Sequence, residues 1–229
     1  MKLFEKLKNI SLQKKKSKFI SSFIGTLLYG IIGINSTSIG HFSVYITSYF
    51  HHKQVNINMH YGNLIMPILS LSQSIFSPLA GYIENKIGIY LALTISVVLR
   101  ELDLFLFINQ TSVLLSFLLI VFLGFSNGIG MAIPGKNLFL YYPKKGGIIG
   151  SLMGSCSIII AIIFSIIGDK IINPGKYTLT KGERFYPLEI SKNYIKCYKY
   201  ILFINPICLI LSLFLIKKYN PENEEESIQ

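Results

Sequence analysis

Charge is scarce in this chain, and acid is scarcer than base. Asp, Glu, Lys and Arg make up 14% of its 229 residues, with 11 acids against 22 basic residues. A soluble domain carries about 25% charged residues, so the polar surface of a water-exposed globule is missing. Apolar residues supply 51% of the chain and fall in blocks, and mean hydropathy is +0.51. This places the chain among integral membrane proteins. The sequence has no glycine-rich phosphate loop, dinucleotide fingerprint, His-Glu-x-x-His or nucleophile elbow, so nothing in it reads as an enzyme, a cofactor site or a metal centre. Cys156, Cys197 and Cys208 lack metal-ligand spacing, and Cys156 and Cys208 lie inside apolar runs, where they read as small packing residues. The net charge of +11 would suit nucleic acid only if the lysines covered a soluble surface. They cluster beside the apolar runs instead, which membrane topology explains without a nucleic-acid partner.

What is present is a series of apolar runs separated by short basic segments. Residues 1–18 hold seven lysines, ending at Lys14, Lys15, Lys16 and Lys18, with Leu3, Phe4, Leu7 and Ile10 at helical spacing, the pattern of a short basic helix on the membrane face. The run after it is too long, and lacks the small-residue cleavage site, for a secretory signal. Six spans are predicted, at about 19–45, 61–83, 89–108, 113–133, 146–168 and 198–216, followed by a charged tail at 217–229. Polar groups at depth are costly unless they face a cavity or a partner helix, so Asn35, His41 and Asn127 are expected to face inward along a solute pathway. His51 and His52, at a membrane edge, read as a solvated pair rather than metal ligands. In the third span Arg100 and Asp103 stand at i,i+3 and can form an intramembrane charge pair; the other reading is a helix that ends early at the outer surface. Gly124, Gly128 and Gly130 in the fourth span read as helix packing, with Pro134 just beyond the span. Basic residues concentrate before the first span, at Lys86, at Lys136, Lys144 and Lys145, and at Lys217 and Lys218. That asymmetry puts both termini in the cytoplasm, with the long basic loop before the sixth span as an exception to the trend.

Between the second and third runs, Gly81 to Gly88 reads as a tight turn held at the water surface by Glu84 and Lys86. Its spacing resembles the signature loop of the major facilitator superfamily: Gly81, Lys86 and Gly88 match, and Asn85 stands where the family has Asp. Glu84 falls one residue early, and Ile89 and Tyr90 replace the trailing basic pair. Tyr141 to Gly147, entering a Gly/Ser-rich helix, looks like the fifth-helix entry of oxalate/formate antiporters and monocarboxylate carriers. Asn173 with Pro174, and Gly40, Tyr45, Ser48 and Tyr49, are similar to that branch as well. The chain departs from the pattern in having Gly124 where an Arg stands in the fourth span, and no Gly-Pro pair in the fifth. The resemblance implies an all-α membrane bundle of six helices, one half of a twelve-helix fold, transporting small organic solutes such as monocarboxylates or other organic anions by alternating access. Gly81, Asn85, Lys86 and Gly88 would form the gating loop. The implied partners are the lipid bilayer, the solute, and a second six-helix bundle or another copy, because the chain is expected to be an N-terminal half or a fragment. The alternative is a six-span scaffold or channel subunit acting through partner helices. No re-entrant pore segment or row of charges marks a channel.

Overall fold

The structure, a computed structural model, describes the backbone of residues 2–53, 57–110, 112–179 and 184–220, and the side chains at these positions other than 2–12 and 34–38. It is all-helical, 86% helix, with no strand among the described residues. The helices are α1 (Lys2–His41), α2 (Ser43–His52), α3 (His60–Phe76), α4 (Leu79–Ile87), α5 (Ile89–Asn109), α6 (Val113–Tyr141), α7 (Gly146–Ile172), α8 (Leu188–Ser191) and α9 (Asn193–Leu215), with a 3-10 turn at Pro143–Lys145.

No Gly or Pro precedes Gly25, so nothing interrupts α1 over its first turns. It runs 40 residues, about 60 Å of helix against a hydrocarbon core of about 30 Å. The basic segment at 1–18, expected as a separate helix on the membrane face, is therefore continuous with the first span. That span ends before 45, because the chain turns at Phe42 and restarts as α2. The Phe42 ring is buried against α7, where Gly168 leaves room for it.

The expected second span, 61–83, is two helices. Pro78, which has no N–H to donate, stands at the break, and α3 and α4 meet there at 52°. Residues 79–87 are helical, so the expected turn from Gly81 to Gly88 is reduced to Gly88. Gly88 has φ +81° and ψ 162°, a backbone that L side chains rarely adopt. Its N–H closes the last turn of α4 on the Glu84 carbonyl at 2.8 Å, and its carbonyl accepts from the Ala92 N–H of α5 at 3.1 Å. One glycine thus ends one helix and begins the next.

Pro134 lies inside α6 and does not terminate it; the helix continues to Tyr141. A proline ring crowds the carbonyl four residues earlier, here that of Gly130, and the helix carries on through it. α7 likewise extends to Ile172, past the expected 168, and α9 begins at Asn193, before the expected 198. Among the described residues three helices are long and apolar enough to cross a membrane, Val113–Tyr141, Pro143–Ile172 and Leu188–Leu215, and the bent α3–α4 pair adds a fourth only if its two helices cross as one span. Arg100, Glu101 and Asp103 keep α5 out of that class.

α6 is central and packs on α3, α5, α1 and α4, while α1 packs on α9, α6, α7 and α3. Glycines sit where backbones meet. A Cβ built on Gly124 would lie 2.5 Å from the Ser72 Cβ, and one on Gly128 2.6 Å from the Gln73 carbonyl oxygen. α7 is peripheral, with only 6% of its most apolar window buried.

Past α9 the chain is stitched back across the bundle end. The Lys217 carbonyl accepts from Ser22 Oγ (3.0 Å), Asn137 Nδ2 (3.0 Å) and Tyr141 Oη (2.8 Å). The Lys217 N–H donates to Ser22 Oγ and the Tyr219 N–H to Asn137 Oδ1. Ile216 beside them is fully buried.

Candidate solute cavity and buried charge layer

Four helices, α1, α3, α6 and α7, leave a cavity of about 270 Å³ lined by Gly33, Gln73, Asn127, Met131, Ser157, Ile158 and Ala161. Asn127 is the middle residue of α6, so the cavity lies beside the midpoint of that apolar span. The Asn127 side chain is 1% exposed, and neither its amide nitrogen nor its amide oxygen has a hydrogen-bond partner. A buried amide left unsatisfied costs about 1–3 kcal/mol, and such groups in native structures mark an unfilled role. Asn127 was legible in the sequence as a polar residue at depth. Gln73 and Ser157 were missed. Gln73 is a lone amide in an apolar run, and Ser157 follows the small residues of Gly150 to Ser155, where packing hid it.

On the other side of α6, α5 turns Ser96, Arg100 and Asp103 inward, all three buried. Ser96 Oγ shares a hydrogen bond with Tyr29 Oη of α1 at 2.5 Å. Arg100 Nε and Nη1 and Asp103 Oδ1 have no hydrogen-bond partner, and no ion pair joins Arg100 to Asp103. The two residues share a helix face and interact electrostatically, as Arg100 does with Glu101, without a direct hydrogen bond between them. The expected early-ending helix is corrected, since α5 continues past Arg100 to Asn109. Glu101 points to α9, where Asn205 Nδ2 donates to its Oε1 at 2.6 Å.

The other expected site residues are dispersed. The Asn35 side chain lies outside the described residues, as does the tail beyond 220. His41 does not line the cavity; its Nε2 sits 3.0 Å from Asp169 Oδ2, a half-exposed contact joining the ends of α1 and α7. Gly81, Asn85 and Lys86 ride on α4, with Asn85 exposed and Lys86 Nζ 5.0 Å from the Tyr82 ring. The charge that ties α4 to the bundle is Glu84, whose Oε2 accepts from Lys136 Nζ of α6 at 2.8 Å. His52 Nε2 contacts the Tyr186 carbonyl oxygen at 2.8 Å, and His51 stacks on Phe185. Among the described residues no three His, Cys, Asp or Glu converge as a metal site.

The arrangement offers a mid-depth, mostly apolar cavity with one orphaned amide, flanked by a buried layer of charge. No protein-family model, curated protein or solved structure matches the chain.

Proposed function

We propose that this chain is one six-span bundle of a transporter for small organic solutes, resembling the N-terminal half of a major facilitator protein. The spans are α1, α3 with α4, α5, α6, α7 and α9, with both termini on the cytoplasmic side and α2 and α8 as short caps outside. The observation that carries the reading is the Asn127 cavity. An amide with donor and acceptor both unused, buried beside the cavity at the middle of a membrane span, suits a solute that supplies both halves of the hydrogen bonding once the side chain turns toward it. The solute class is monocarboxylates or other small organic anions. None of the lining residues is ionisable, so in this reading the cavity holds the neutral part of the solute and a second bundle or copy meets its charge.

The test is Asn127→Cys in a background with Cys156, Cys197 and Cys208 changed to Ser. A membrane-impermeant thiol reagent should modify the new cysteine, and a monocarboxylate in solution should slow it. Modification that no solute slows would remove the cavity from the transport reading. A scaffold that works through partner helices is favoured by one observation, the nearly bare α7.

A further inference from the structure

Both ends of the bundle carry exposed lysines, and the end with fewer acids among the described residues sets several of its lysines against tyrosine rings. Where α1 enters and α9 leaves, Lys14, Lys16, Lys18, Lys86, Lys144, Lys145, Lys217 and Lys218 are all exposed. Among the described residues Glu84 is the one acid at this end, and Lys136 already holds it. At the opposite end exposed Lys53, Lys170, Lys176, Lys192 and Lys196 are interleaved with Asp169 and Glu189, and one Lys–Tyr pair, Lys53 Nζ 5.6 Å from the Tyr49 ring, stands there.

Tyrosines stand beside the lysines of the less acidic end. Lys145 Nζ lies 5.9 Å from the Tyr142 ring centroid, and Lys15 Nζ lies 5.5 Å from both the Tyr142 and Tyr219 rings. Lys86 repeats the arrangement with Tyr82, whose ring is 61% exposed. Exposed tyrosine belongs at the level where hydrocarbon gives way to headgroups, and long lysine stems run along apolar surface while the ammonium reaches the polar layer. The pairing therefore holds the ammonium groups at headgroup depth instead of in bulk water. Lys144 and Lys145, on the 3-10 turn between two spans, meet the start of the α1 bundle segment there, since Phe19 of α1 packs edge-on against Tyr142 with ring centroids 5.0 Å apart.

We propose that this end is a docking surface for anionic phospholipid headgroups of the leaflet it faces, with Lys15, Lys144 and Lys145 as the principal cations and Tyr142 as the platform between Lys15 and Lys145. The shared chemistry is a phosphate ester. Its source is lipid because the cations ring the spans at headgroup depth and do not line a pocket open to water.

The inference does not depend on transport, and its test uses binding only. The full chain, purified in detergent, is titrated with phosphatidylglycerol or phosphatidylcholine, and the lipids retained are counted by native mass spectrometry. Phosphatidylglycerol should be retained in preference, and the preference should fall with added salt. Lys144→Gln and Lys145→Gln should each lower the ratio about 5-fold, and Lys144→Arg should restore it. Lys176→Gln, at the other end, should leave the ratio unchanged and guards against a general effect of net charge. Equal retention of the two lipids, or loss of preference in Lys176→Gln as large as in Lys145→Gln, would overturn the proposal. So would full competition by millimolar inorganic phosphate, which would make this a site for a soluble anion.

Discussion

Two buried residues test opposite consequences of close packing. Gly128 meets α3 at a distance no Cβ tolerates, 2.6 Å from the Gln73 carbonyl oxygen and 3.0 Å from the Ser77 nitrogen. Both neighbours are backbone and cannot swing aside. Gly128→Ala is expected to destabilise by about 1–3 kcal/mol. Gly30→Ala, where nothing lies within 4 Å, should be neutral or stabilising by up to about 1 kcal/mol. Thermal unfolding in detergent compares the pair, and equal effects would show that the α3–α6 contact is looser than drawn. Arg100 differs because it carries charge. Its buried guanidinium lies near Glu101 and the buried Asp103 and interacts with both electrostatically. Arg100→Met leaves those acids without their cation, so the variant should unfold earlier than the parent. An unchanged midpoint would show that the guanidinium does not compensate them.

At the scale of elements, the strap after α9 is the join most open to test. Asn137 spans it with two hydrogen bonds, donating to the Lys217 carbonyl and accepting from the Tyr219 N–H. Asn137→Ala should cost about 1–3 kcal/mol of local stability and speed tryptic cleavage at Lys217 and Lys218. Unchanged cleavage would show that Ser22 and Tyr141 hold the strap without it. None of this was legible in the sequence, because the strap is made by residues near 20, 137 and 217 that only the fold brings together. The apolar helices were legible, since hydropathy needs no partner. Their ends were not: Pro134 and Gly81 read as punctuation, yet α6 runs through the one and α4 absorbs the other. Of the cavity, the sequence showed Asn127, a polar group conspicuous at depth. It hid Gln73 and Ser157, whose role depends on the rotation of α3 and α7, and it misplaced His41, which pairs with Asp169 across a long separation in sequence.

At the scale of the molecule, the question is what covers α7 and the mouth of the cavity. Along α7, Ile158, Ile159, Ile162, Ile163, Ile166 and Ile167 are all exposed, an apolar surface that lipid, a second copy or a second bundle would cover equally well. Asn127 is buried, so acyl chains do not reach its amide, and in the proposed reading what meets it enters through the cavity. A lone bundle that meets only lipid cannot expose the cavity to each side in turn, since alternating access needs a second body to rock against. This chain by itself is accordingly expected to insert in the membrane without carrying out saturable transport. Liposomes loaded with the chain alone, and with the chain fused to a C-terminal six-helix bundle, would be compared for uptake of a radiolabelled monocarboxylate. The fusion should transport and Asn127→Leu within it should not. Saturable uptake by the chain alone, lost on Lys86→Ala or Gly81→Leu, would instead establish a half-transporter that pairs with its own copy, with α7 as the natural seam between them.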